Sequence, residues 1–177
     1  VLKELLENAI DAGATDISVE ILHGGLKQIR VTDNGTGIVV QELPLALMRH
    51  ATSKISCQED LHNIASLGFR GEGLASIASV SNLSLVSRHA TGEHAWKIGI
   101  EGTRLLPTEP AAHAVGTTVT VGDLFFNLPA RRKFLKTEAT EFAHCETVFQ
   151  RIALSHPGVS FRLQRNEKLR SHYPATE

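Results

Sequence analysis

Two cysteines, one methionine, one tryptophan and one tyrosine are all that the 177 residues contain of those four types. Cys57 and Cys145 stand alone, with neither a CxxC pair nor a Cys/His cluster at metal-ligand spacing, so a disulfide framework is excluded and free thiols in a reducing compartment are expected. No stretch approaches the roughly 18 uninterrupted apolar residues of a membrane span, and no signal peptide is visible, so no membrane partner is expected. A soluble, intracellular protein is the reading. The formal net charge is −1, so neither sign dominates and any nucleic-acid contact must come from a local patch. The nine histidines scatter from His23 to His172 without an HExxH pair, and read as surface or satisfied core residues.

What is present is a hydrophobic share of 42%, enough for one domain with a full core. Repeats, low-complexity tracts and dividing linkers are lacking, so a single domain over residues 1–177 is expected. The opening stretch, VLKELLENAIDAGA, reads as an amphipathic helix burying Val1, Leu2, Leu5, Ala9 and Ile10. Glu4, Asn8 and Asp11 return to one face of it. On its own such a polar stripe simply faces water.

DISVEIL alternates as a strand does, HGG turns the chain, and KQIRVTD completes a β-hairpin. LSLVSR, AWKIGIE and TTVTV read as further strands, and SFRLQRNEKLRSH as a last hairpin turning near Asn166. PLALMRH, LASIASV and the long TEFAHCETVFQRIALS read as helices. Hairpin-linked strands interleaved with helices predict an α/β two-layer sandwich: a mixed, mainly antiparallel sheet with helices on one face and one open side for a ligand.

Three glycine-bearing segments carry candidate chemistry. DNGTGI places Asp33 at a strand end, where its carboxylate can accept from an amine, and Gly35 and Gly37 allow backbone turns. GFRGEGLAS sets Gly68, Gly71 and Gly73 just before a helix start, an arrangement suited to a phosphate chain, with spacing unlike that of dinucleotide folds or P-loops. VGTTVTV carries Gly116, Thr117 and Thr118 into a strand, where a hydroxyl could face a base. Alone, each has a bland alternative: a turn, a loop, a strand.

In this order, Glu-x-x-x-Asn on a helix, Asp-x-Gly-x-Gly after a strand, a glycine-rich lid and a Gly-Thr strand resemble the GHKL ATPases, whose fold is the Bergerat sandwich. Within them, GFRGEGLAS, ATSKI and NLPARRKFLK resemble the characteristic stretches of the MutL mismatch-repair family, nearly end to end. The resemblance implies an ATPase using ATP and Mg²⁺. It implies that Asn8 ligates the metal through its amide oxygen and that Glu4 accepts a proton from the attacking water. Asp11 is given a supporting place near metal or nucleotide.

By the same resemblance Asp33 accepts the adenine amino group, Thr118 helps through a hydroxyl or a water, and Gly35 and Gly37 let the base approach. Backbone amides around Gly68, Arg70, Gly71, Glu72, Gly73 and Leu74 hold the phosphates, and Thr52, Ser53 and Lys54 close over them. Phosphoryl transfer needs mainly such positioning and charge stabilisation.

Gly73 departs from the family pattern, which has Ala there, and makes the lid hinge more permissive. Family members also carry an N-terminal segment ahead of the first helix and, in a following transducer domain, a lysine for the γ-phosphate. Neither lies in these residues, so the ATPase core of a longer protein is expected. The resemblance further implies a homodimer that clamps DNA without sequence specificity, a MutS-type mismatch-recognition partner and a downstream repair nuclease or helicase. It implies a cytoplasmic, nucleoid-associated location in a bacterium, or a nuclear one in a eukaryote. The basic run Arg131, Arg132, Lys133 and Lys136 reads first as a solvated face, with DNA contact as the alternative. A second reading of the whole is a nucleotide-gated interaction module with little turnover of its own.

Overall fold

A computed structural model describes residues 1–48 and 72–176. Helix α1 (Leu2–Asp11) buries Leu2, Leu5, Leu6 and Ala9, a stripe at helical spacing, and carries Glu4 in its first turn, where negative charge suits the helix dipole. Two of the expected core positions differ. Val1 precedes the first helical turn and is 39% exposed, and Ile10 is only half-buried at the edge of the stripe, while Leu6 is fully enclosed.

The strands are β1 (Asp16–Leu22), β2 (Gln28–Asp33), β3 (Asn82–Arg88), β4 (Ala95–Glu101), β5 (Arg104–Leu105), β6 (Glu109–Ala111), β7 (Gly116–Gly122), β8 (Ser160–Arg165) and β9 (Lys168–Tyr173). Among the described residues they form one sheet in the order β5-β4-β3-β7-β2-β1-β8-β9, with β6 also pairing β4. Only β1 and β8 run parallel in it; the other pairs are antiparallel. The remaining helices are α2 (Leu43–Leu47), α3 (Gly73–Ala78), the single turn α4 (Pro129–Arg132) and α5 (Glu138–Ser155). The mixed, mainly antiparallel sandwich expected from the sequence is the fold.

Strict alternation decides which face meets the helices. Ile17, Val19 and Ile21 of β1, Ile29 and Val31 of β2, Leu83 and Leu85 of β3, Val119 and Val121 of β7, and Phe161 and Leu163 of β8 join one core with the apolar stripe of α1 and with Phe142 and Phe149 of α5. Phe149 meets Phe161 edge to face at 5.9 Å between ring centres. Helix α5 starts cleanly because Thr137 caps it, its hydroxyl accepting from the Thr140 N–H at 3.3 Å, while Glu141 accepts from the Lys136 N–H at 2.8 Å. No helix of the described residues is long and apolar enough to cross a membrane.

Candidate functional site

The core face of the sheet changes character at one end. In the row where the apolar pattern would place another Val or Leu, β2 ends in Asp33, β7 sets Thr117, its second residue, directly opposite it, and β3 supplies Ser87, directly opposite Thr117. All three are buried. Asp33 Oδ1 accepts from the Gly35 N–H at 2.8 Å, and the Thr117 N–H also bonds the carboxyl. Burial pushes the Asp33 carboxyl from its ordinary 3.8 up to about 6, against the opposing pull of those two N–H groups and of nearby His113.

The loop after β2 is tied to both neighbours of this row. Thr36 N–H donates to the Ala12 carbonyl at the end of α1, and Ala90 N–H donates to the Thr36 carbonyl. Asn34 bridges back to the start of β1, its Oδ1 accepting from Thr15 N at 2.8 Å and Asp16 N at 2.9 Å. The glycines allow close packing of the protein on itself. At Gly35 a Cβ would fall 2.7 Å from the Ala12 carbonyl oxygen. Gly37, at φ 72°, lies against the Arg88 carbonyl, and Gly116, at φ 130°, against the carbonyl of Asp33, so both need the left-handed backbone and the missing side chain.

Thr118 is on the other face. It opposes Thr32, with the two hydroxyl oxygens 2.9 Å apart, and its hydroxyl also meets His113 Nε2 at 2.7 Å. The structure therefore brings Thr117, not Thr118, beside Asp33. The sequence names Thr117 together with Thr118 in the Gly-Thr strand, whereas Ser87 carries no such signal.

At the opposite end of α1, Glu4 meets the start of α3. A Cβ on Gly73 would fall on the Glu4 carboxylate, so the absent side chain is what lets the two elements touch. Glu72 stands at the N-cap position of α3, and Leu74 packs half-buried against the core. Between Glu4 and Ala12, half-buried Asn8 and Asp11 line α1. Thr52, Ser53, Lys54, Gly68, Arg70 and Gly71 lie outside the described residues. Among the described residues no three His, Cys, Asp or Glu side chains gather as a metal cage. The amide oxygen of Asn8 is a hard donor of the kind that suits a cation taking few protein ligands and keeping water and phosphate oxygens for the rest.

The comparisons with known proteins give the family of this fold. Residues 1–111 match the model of the histidine kinase-, DNA gyrase B- and HSP90-like ATPase family, and the chain belongs to that family. Within it the likeness is to the ATPase domain of MutL. The chain is 60% identical over 165 residues to the DNA mismatch repair protein MutL of Thiobacillus denitrificans, covering 93% of this chain and 28% of that protein. It is 58% identical to MutL of Herminiimonas arsenicoxydans, covering 100% of this chain and 29% of that protein. A solved Aquifex aeolicus MutL ATPase domain complexed with ADP superimposes with a TM-score of 0.79 at 35% identity, over 99% of this chain and 62% of that one. The chain thus spans under a third of the length of these MutL proteins.

Proposed function

We propose that this chain is the ATP-binding and ATP-hydrolysing domain of a MutL-type mismatch-repair protein, with the nucleotide lying along the polar face of α1. One observation carries this reading. Helix α1 runs from the lid end, where Glu4 touches Gly73, to the base end, where Ala12 holds the loop after Asp33. From Glu4 to Ala12 the chain advances about 12 Å, and Asn8 and Asp11 line the path between. A base at Asp33 and a terminal phosphate near Glu4 are the two ends of one extended ligand.

Asp33, as a carboxylate, accepts from the exocyclic amino group of adenine, and Thr117 offers a hydroxyl to the neighbouring ring nitrogen. Glu4 orients the attacking water and takes its proton. The amide oxygen of Asn8 holds Mg²⁺, with Asp11 in support; the ion supplies charge neutralisation to the phosphates when bound. Thr52, Ser53, Lys54, Gly68, Arg70 and Gly71, with the amides at Glu72, Gly73 and Leu74, belong to the phosphate end by the family pattern. The basic run at Arg131 to Lys136 is exposed, as either a solvated face or a DNA contact requires.

In the whole protein we place nucleotide-driven homodimerisation, clamping of DNA and coupling of a MutS-type recognition protein to a downstream nuclease or helicase. The family pattern, not the site itself, supports these. A nucleotide-bound structure tests the site: adenine on Asp33 with its terminal phosphate at Glu4 is expected, and a base seated elsewhere overturns the reading. Affinity and turnover measured separately decide against the alternative of a binding module, which would hold ATP without hydrolysing it.

A further inference from the structure

Ser87 is fully enclosed, and its hydroxyl oxygen has three polar neighbours: the Ile38 N–H at 2.8 Å, the Gly116 carbonyl at 3.0 Å and the Thr117 hydroxyl at 2.8 Å. Each comes from a different part of the base end. Ile38 follows the Asp-Asn-Gly-Thr-Gly loop, Ser87 stands near the end of β3, and Gly116 and Thr117 open β7. One buried oxygen therefore joins the loop to two strands.

Counting protons shows what this oxygen can do. Ile38 N–H only donates and the Gly116 carbonyl only accepts, while Ser87 and Thr117 bring one hydroxyl proton each. In one arrangement Ser87 donates to Gly116 and Thr117 donates to Ser87, so both protons are used inside the protein. In the other Ser87 donates to Thr117, whose own proton is then turned outward. The second arrangement leaves a buried donor unmatched until a ligand supplies an acceptor beside Asp33.

We propose that Ser87 is a positioning residue of the nucleotide site, a hydroxyl relay through which Thr117 becomes a donor only when a base with a ring-nitrogen acceptor is bound. This rests on the reading of Asp33 as the acceptor for the adenine amino group. It adds the complementary half: Asp33 reads the donor of the base edge, and Ser87, through Thr117, reads the acceptor next to it. Ser87 also holds the Ile38 end of the loop against β3, so losing its oxygen leaves a buried N–H without its acceptor and the Thr117 hydroxyl without the contact that keeps it aimed at the base.

The test measures affinity for a non-hydrolysable ATP analogue and for the corresponding inosine analogue, whose base edge exchanges the amino donor for a carbonyl and the ring acceptor for an N–H. Both are measured with wild-type protein and with Ser87→Ala and Ser87→Cys, the second keeping volume in case the first does not fold. Affinity for the adenine analogue is expected to fall roughly tenfold and the adenine-over-inosine ratio to narrow, while turnover at saturation stays close to wild type. Ser87→Thr, which keeps the hydroxyl, is expected to restore the ratio. A loss of affinity equal for both bases, or a drop in melting temperature with the ratio unchanged, would make Ser87 a merely structural residue and overturn the proposal. Wild-type protein with no preference for adenine would instead sink the Asp33 reading on which it stands.

Discussion

The Glu4 carboxylate occupies the space that a side chain on Gly73 would fill. A helix that begins with glycine loses about 0.5–1 kcal/mol relative to alanine in backbone freedom, so this contact has a cost in stability. It joins the residue assigned as general base to the hinge of the lid helix. Gly73→Ala is expected to keep ATP affinity and to change turnover by less than about tenfold, because the end of a glutamate side chain moves aside at the cost of a rotamer change. Gly73→Val, with a larger and stiffer side chain, is expected to lower turnover further while affinity holds. Parallel measurement of Kd and kcat checks both. A loss confined to affinity would show that the glycine serves the phosphates rather than Glu4.

Glu4→Gln keeps the shape of the side chain and removes its basicity. Nucleotide binding is expected to persist and hydrolysis to slow by roughly 10²- to 10⁴-fold, the range of general-base contributions. Asn8→Ala is expected to weaken binding of ATP in the presence of Mg²⁺ much more than in its absence, since only the metal contact is removed. Calorimetric titrations with and without the metal separate the two. Equal losses would remove Asn8 from the metal.

Asp33 makes stability and binding pull in opposite directions with pH. Its carboxyl is raised from 3.8 to about 6, chiefly by burial, so the folded protein holds this proton more tightly than the unfolded chain does. The stabilisation is fully present below pH 3.8 and is lost as pH rises through 6; above that, the charged carboxylate costs the free protein up to about 3 kcal/mol. Asp33→Asn is therefore expected to raise the melting temperature of the nucleotide-free protein more at pH 7.5 than at pH 5. It is also expected to weaken ATP binding, since an acceptor-only group becomes one that also donates. Wild-type affinity should itself fall as pH drops below about 6. Melting curves that shift equally at both pH values would contradict the burial of the charge.

How much of this was legible in the sequence depended on how local the cause was. Alternation in DISVEIL and KQIRVTD predicts β1 and β2 within a residue, because period-two burial is written into the segment itself. The pairs β5 and β6 and the single turn α4 are too short to show any period, and none was expected. Pairing of β1 with β8 and of β3 with β7 links residues far apart in the chain, which no local pattern encodes. Asp33 was singled out by the order of the motifs together, since alone a carboxylate at a strand end before two glycines reads as a turn. Ser87 was not, since a serine inside an alternating strand looks like an ordinary half-buried position. Its significance comes only from the strands on either side.

The same parity separates the two threonines of β7. In the sequence Thr117 and Thr118 are adjacent and chemically identical, and a one-residue difference in register decides which face of the sheet each hydroxyl takes. Thr117 opposes Asp33 and shares a 2.8 Å contact with Ser87; Thr118 opposes Thr32 and meets His113 on the far side of the sheet. Thr117→Val keeps the β-branched shape and removes the hydroxyl beside Asp33, so ATP affinity is expected to fall by roughly tenfold, the worth of one good hydrogen bond. Thr118→Val removes the outer hydroxyl, leaving Thr32 and His113 to bond water, and is expected to change affinity by less than about twofold and stability by at most about 1 kcal/mol. Equilibrium binding of an ATP analogue to the two variants, with melting curves beside it, checks the pair. Should Thr118→Val lose affinity while Thr117→Val keeps it, the base would have to bind outside the row of Asp33, Thr117 and Ser87.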